Sequence, residues 1–410
     1  MTEQPSIPAH GPLRDALRKI TSTLLAELRE PTATPPDWTA FEWTIARAVC
    51  AMQGISGLLA NRLRWQQPAG FLRFVREQRE HTVAFRQRVR TTLADLDAAA
   101  RAAGVPFIAL KGSAMMDLEL HGRGERPMTD IDLLVAPEHA DAMSRVILAL
   151  GYAFSHRSHR HVTFKPTRGG APHILGEHED NPLRIELHTH VAEELPLTEV
   201  DITASVRPAQ MEPGSNPYAS RTALLRHLAI HAAGNMRAHA LRGNQAIDIA
   251  AFASTLDARE WSELLDTAIP AWWLYPPLAL AARVRPGCIP DDVLARAARL
   301  CPGWLRMRAR RYDVFEVSWS NPTIAAFPGI EWSRSPIEAA RYARTRLIPT
   351  RSAATELRDG VQCSPLLLQL PWYQLSHSRR ILRWILGRAP RVQTLTSVMS
   401  AMALERAART

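Results

Sequence analysis

FIALKGSAMMDLELHGRGERPMTDIDLLV, residues 107–135, is the stretch from which the rest of the chain is best read. Phe107 to Leu110 is a short apolar run of buried-strand type, stopped by Lys111, Gly112 and Ser113. Ala114 to Leu120 suits a helix, with Ala114, Met115 and Leu118 at helical spacing, and Gly122 and Gly124 break it. Met128 to Val135 forms a second strand with two acids near its start. The order predicted is strand, sharp turn, helix, loop, strand.

The two acids carry the chemistry. Side chains two apart on a strand share a face, so Asp130 and Asp132 project together. Neighbouring carboxylates repel and raise each other's pKa unless a cation lies between them. A hard, oxygen-liganded ion such as Mg²⁺ suits that position, bound by one or two carboxylates and by substrate phosphates. Lys111, Gly112 and Ser113 place a glycine turn at the predicted helix start, where free backbone N–H groups hold phosphate. A phosphate cradle close to a metal-binding acid pair points to phosphoryl or nucleotidyl transfer.

LKGSAMMDLEL followed by RPMTDIDLLV resembles the core of the nucleotidyltransferase superfamily, the DNA polymerase beta-like fold, whose hallmark is a G-S turn followed by D-x-D. The wording is most similar to the uncharacterised bacterial nucleotidyltransferase family 5 group, over roughly residues 38–255. The resemblance implies an α/β (α+β) fold: a small mixed sheet flanked by helical segments before and after. It implies metal-dependent transfer of NMP from a nucleoside triphosphate, with Mg²⁺ or Mn²⁺ held by Asp130 and Asp132. Gly112 and Ser113 would hold the β- and γ-phosphates, assisted by Lys111 and Arg126. Two roles are open to Lys111, contact with the triphosphate or fixing the turn. Arg126, at the R of the family's R-P-M wording, either meets the triphosphate or pairs with Asp130 or Asp132.

Leu183 to His188 alternates apolar and polar residues, as a strand with one polar face does. Families of this kind place a third acid on a later strand, and Glu186-Leu187-His188 matches the acid-apolar-His pattern, with Glu in place of the commoner Asp. Glu186 would complete the metal site or act as general base; the bland alternative is a solvent-facing strand acid. His188 would contact phosphate or acceptor. Seven of the fifteen histidines fall between His156 and His190. No C/H set of standard structural spacing accompanies them, so a dedicated zinc site is not expected.

In chain order, residues 1–37 are an N-terminal segment and linker, with a helix predicted at 13–28. Residues 38–104 form a helical cap, 105–200 the catalytic core, 201–350 a helical domain and 351–410 a basic C-terminal segment. Leu224 to Ala233 and Gln245 to Thr255 are predicted helices; they resemble the family's segment after the catalytic sheet, with its apolar-Asp-apolar pattern at Asp248, which implies that the second helix closes the cleft from the opposite side. His227 and His231, four apart on the first, are read as packing histidines. The tryptophans after residue 260 are read as core rather than as a base-stacking platform.

The 410 residues are 46% hydrophobic and 22% charged, ordinary for a globular chain with a sizeable core. Four scattered cysteines indicate no disulfide framework, and no signal-like start or long apolar run is present, so a cytoplasmic protein is expected. The net charge of +10 is concentrated at the end: residues 371–410 carry seven arginines and one acid. That is a property of the tail rather than of a groove, and it argues against nucleic acid as the partner. Ile381, Leu382, Trp384, Ile385 and Leu386 beside Arg379, Arg380 and Arg383 suit either an anionic membrane surface or a docked terminal helix. The acceptor is not readable: small molecule, peptide and protein all fit. The alternative to an enzyme is a non-catalytic nucleotide-binding or antitoxin-like protein that keeps the fold.

Overall fold

A computed structural model of the chain describes residues 8–407 apart from 67, 117, 159, 171, 172, 174, 267–269, 349–374, 388 and 389. Its centre is a six-stranded mixed sheet in the order β3-β4-β5-β2-β1-β8. The strands are β1 (Pro106–Ala109), β2 (Asp130–Leu134), β3 (Tyr152–Arg157), β4 (His161–Pro166), β5 (Arg184–His188) and β8 (Gly214–Asn216). Neighbours are antiparallel except β2–β5 and β1–β8, which are parallel. A two-stranded hairpin, β6 (Ala192–Glu194) and β7 (Glu199–Asp201), follows β5. The α/β class and the strands around the acids are as expected; the short β8, lying beside β1, was not anticipated.

Strand alternation divides the sheet into two faces. Phe107, Ile131, Leu133, Ile185 and Leu187 point to one side and are fully or almost fully buried. There they pack on α4 (Ala69–Ala102) and α5 (Ala140–Ala149) through Val89, Leu96, Met143 and Ile147. At roughly 1.5–3 kcal/mol for each large apolar side chain buried, these contacts fix which face β2 turns toward solvent. On the other side Ile108, Leu110 and Leu134 pack beneath α7 (Arg221–Arg237) and α8 (Gly243–Ala253). The polar start of β2 lies on that second face, at the edge of the apolar packing.

Residues 111–118 correct one expectation. Among the described residues no helix follows the glycine turn; residues 111–116, 118 and 119 are in turns, and Lys111 and Glu119 both adopt positive φ, +48° and +50°. The packing explains why: Met115 is buried in the core beneath α7, whereas Met116 is buried in the core beneath α4. Burying adjacent residues on opposite sides conflicts with a one-sided amphipathic helix, and a segment this short gains too few hydrogen bonds to nucleate one.

The remaining helices enclose the sheet. α1 (His10–Arg29), α2 (Ala40–Gln53) and α3 (Ser56–Arg62) share a core with the last helix, α16 (Val392–Ala407). α2 starts with a Thr39–Glu42 capping box and ends at Gly54 in the left-handed conformation. Leu395, Val398 and Ala401 of α16 are buried, and Arg47 pairs with Glu405 at 2.6 Å. The C-terminal helix is therefore docked. α15 (His377–Ile385) buries Ile381 and exposes Leu382 and Ile385; residues 349–374 of the basic segment, and His159 of the histidine-rich turn, lie outside the described residues.

After the hairpin come α6 (Thr203–Val206), α7 and α8, then α9 (Ala258–Leu265), α10 (Tyr275–Val284), α11 (Asp291–Leu300), α12 (Gly303–Ala309), α13 (Val314–Val317) and α14 (Pro336–Leu347). Trp272, Trp273 and Trp332 are core residues here. Cys50, Cys288 and Cys301 are buried free thiols. No helix among the described residues is long and apolar enough to cross a membrane.

Candidate active site

The register of β2 on β5 assembles the acids. Asp132 lies opposite Glu186 and Leu134 opposite His188 on parallel strands, so these side chains share one face. On the far side of β5, His161 of β4 lies opposite His188 and Thr163 opposite Glu186. Asp130, Asp132 and Glu186 line a cleft of about 290 Å³ together with Gly112, Arg126 and Arg242. Asp132 is buried, and Asp130 and Glu186 are half-buried.

Lys111 follows the end of β1, held beside β2 by the Leu110 N–H donating to the Asp132 carbonyl at 2.8 Å. Its ammonium donates to Asp132 Oδ1 at 2.9 Å, and His188 Nε2 is 3.0 Å from the same oxygen. Burial alone would raise the Asp132 pKa; Lys111 and His188 overcome it and hold this carboxyl well below the usual range. Asp130 goes the other way, raised by burial and then by the Asp132 charge. Glu186 is pushed up to about 7 by burial, then by Asp132 and Asp130. Burial would lower Lys111, but Asp132, Asp130 and Glu186 together raise it. Lys111 brings one positive charge to three carboxylates, which leaves two negative charges for a divalent ion to balance.

The donor chemistry fits a hard cation: carboxylate oxygens from three side chains facing one cleft, two of them on adjacent same-face positions of a single strand.

Of the expected phosphate ligands in the turn, Lys111 and Gly112 line the cleft of the acids and Ser113 does not. The Lys111 N–H donates to Tyr218 Oη at 3.0 Å and the Ser113 N–H to the Leu110 carbonyl at 3.1 Å, and no helix N-terminus stands behind them. Ser113 lines a neighbouring cavity with Asn216 and Tyr218 rather than the cleft of the acids. Gly112 does line that cleft, and its lack of a side chain has a local reason. A Cβ there would stand 2.4 Å from Arg126 Nη1, so a side chain at 112 would require the guanidinium to move from its present place.

Arg126 is paired with neither Asp130 nor Asp132. Its Nε donates to both oxygens of Asp248 at 3.0 and 2.9 Å, its Nη2 lies 2.8 Å from Oδ2, and His121 Nε2 is 2.8 Å from Oδ1. Burial would raise Asp248, yet Arg126 and His121 hold it below the ordinary value. α8 thereby holds the loop before β2 through Asp248 and Arg126.

A second cavity of about 360 Å³ adjoins the first and is lined by His161, His188, His190, Glu193 and His227, among others. Lys111, Glu186 and His231 border both. His231 Nδ1 is 3.7 Å from Glu193 Oε1, Arg160 Nη1 is 2.8 Å from Glu193 Oε2, and His227 Nδ1 is 2.8 Å from Tyr218 Oη. His227 and His231 are thus cleft-wall residues as well as packing ones. Burial, then the neighbouring His188, lowers His161 to about 4, so it is neutral at physiological pH. The sequence placed the start of β4 one residue too late and so left His161 in a turn; carrying the alternation back one position would have put it on the polar face. Arg242 and Tyr218 gave no comparable signal.

A family model described as an uncharacterised nucleotidyltransferase matches residues 39–283. No curated protein and no solved structure matches the chain. The matched span is more than half of the chain and contains the turn at Gly112, all three acids, His161, His188 and Asp248. The chain belongs to this uncharacterised nucleotidyltransferase family.

Proposed function

We propose that the protein transfers a nucleotidyl group from a nucleoside triphosphate to an acceptor, with Mg²⁺ or Mn²⁺ held by Asp130 and Asp132. What carries this reading is the convergence of Asp130, Asp132 and Glu186 on one cleft, with a single ammonium, Lys111, among them. A divalent ion bound there would supply charge neutralisation for the phosphates and for the attacking oxygen. Asp132, kept ionised by Lys111 and His188, is ready to bind a cation at neutral pH. Glu186, pushed up to about 7, is partly protonated at neutral pH when no such charge is close, and it gives that proton up as positive charge enters.

Lys111, Arg126 and Arg242 give the cleft its positive side, suited to a polyphosphate. Phosphates recognised by charge leave the base unread, so ATP, GTP, CTP and UTP are all candidate donors. The adjoining histidine-rich cavity shares Glu186 with the cleft and is where an acceptor would enter. That acceptor is a small molecule, peptide or protein with a free hydroxyl or phosphate.

Paired reactions with α-labelled and γ-labelled nucleotide, each mixed with small-molecule and protein extracts, test the reaction type. Nucleotidyl transfer moves the α-label into a new product in a metal-dependent way. Transfer of the γ-label alone would identify a phosphoryl transferase instead, and no transfer of either would remove the catalytic reading.

A further inference from the structure

Apart from the oxygen pair Asp130 and Asp132, a different set of donor atoms converges between β4 and β5. His161 Nε2 lies 3.6 Å from Glu186 Oε2, and His188 Nε2 lies 3.8 Å from the same oxygen. All three donor atoms are within 4.8 Å of one another. Separations of this size are too long for hydrogen bonds. They are close to the edge of a tetrahedral site, about 3.4 Å when each ligand stands about 2.1 Å from the ion, as imidazole nitrogen and carboxylate oxygen do around zinc.

We propose that His161, Glu186 and His188 form a second binding site, for a divalent transition-metal ion of which Zn²⁺ is the type, that adjoins the oxygen pair Asp130 and Asp132 and shares Glu186 with their cleft. Two imidazoles and one carboxylate are a borderline donor set, which favours zinc, cobalt, iron or manganese over magnesium. The strands supply the placement: His161 and His188 are register partners, and Glu186 is two residues before His188 on the same face. The rings of His161 and His188 are 5.0 Å apart, half-turned to one another rather than stacked. All three side chains are largely shielded, with 11–19% of their surface exposed, yet each reaches the wall of the second cavity, which gives an ion its way in.

The surroundings complete the site. His188 Nε2 and Asp132 Oδ1 are 3.0 Å apart, so a proton or a cation has to lie between them. An ion bound by His188 Nε2 takes the place of that proton, and Asp132 Oδ1, itself held by Lys111, faces the same nitrogen and lies within reach of that ion. The site would give the wall between the two cavities a fixed positive charge, next to the position from which an acceptor approaches.

This inference stands on its own donor geometry and does not require nucleotidyl transfer. Its test is Co²⁺ binding to the chelator-stripped full chain in excess Mg²⁺, followed by visible absorption and by metal analysis after dialysis. One Co²⁺ per chain is expected, with the ligand-field bands of nitrogen–oxygen coordination and displacement by Zn²⁺. Binding should be lost in His161→Ala and in the bulkier His161→Gln, whose folding is checked by circular dichroism, and retained in Asp130→Asn. Failure of wild type to bind Co²⁺ in excess Mg²⁺, undiminished binding in a folded His161 variant, or equal loss in Asp130→Asn would each overturn the assignment. Nucleotide binding measured on the same samples keeps the two proposals apart, because either can fail while the other holds.

Discussion

The Lys111 ammonium lies 2.9 Å from Asp132 Oδ1, at the meeting point of three carboxylates. The contact joins the end of β1 to the middle of β2 and places a cation of the protein itself beside the expected metal position. Lys111 reaches it from a backbone with φ of +48°, a conformation uncommon for a residue with a side chain and one that concentrates at functional sites.

Removing that charge should destabilise the protein in a metal-dependent way. Lys111→Met leaves Asp132 buried without its ammonium, a change costing about 3 kcal/mol when one partner of a buried pair is deleted. Mg²⁺ should restore part of the loss by occupying the vacated charge position. Thermal melts with and without Mg²⁺ check this: a lower Tm for the variant with a larger Mg²⁺ increment than wild type is expected. Equal melting in both conditions would mean Lys111 does not hold the acids.

Asp248 should contribute stability that disappears in acid. Its folded pKa is below the ordinary value, so the stabilisation is present above the unfolded pKa of about 3.9 and is lost as pH falls through the folded value. Asp248→Asn removes the charge facing Arg126 and His121, with an expected loss of about 3 kcal/mol near pH 7. Urea midpoints for wild type and variant should differ at neutral pH and converge below about pH 4. A difference that stays constant into acid would show that the Asp248 charge is not what stabilises the loop.

Gly112→Ala should act through Arg126. The added methyl would occupy the space of Nη1 and push the guanidinium off Asp248, at a cost of about 1–3 kcal/mol typical of overpacking. With Arg126→Ala already present, the same substitution should cost much less, since the clash is gone. A double-mutant cycle by chemical denaturation measures this coupling, and strict additivity would contradict it.

The alternation in residues 130–135 was enough to put Asp130 and Asp132 on one face, because strand geometry is local. Glu186 was legible through its own alternating strand. Its exact neighbour was not, since the pairing of Asp132 with Glu186 joins positions far apart in sequence. The helix expected after Gly112 fails for a similar reason: Ala114, Met115 and Leu118 have helical spacing, but Met115 and its neighbour Met116 are claimed by two separate cores. Arg126 shows the limit most clearly. Its position before the acids suggested a phosphate or an aspartate of β2, but its partner is Asp248 on a helix more than a hundred residues away. His161 was hidden by a strand start placed one residue late, which left it in the preceding turn instead of on the strand's polar face.

Calorimetric titration of ATP, GTP, CTP and UTP in the presence of Mg²⁺ or Mn²⁺, on wild type and on the Asp130→Asn/Asp132→Asn double variant, tests the central claim most directly. Binding of at least one nucleotide is expected to depend on the divalent ion and to vanish in the double variant while the fold persists. Equally tight binding to the double variant, or no binding to wild type with either ion, would contradict a metal-dependent nucleotide site at these two aspartates.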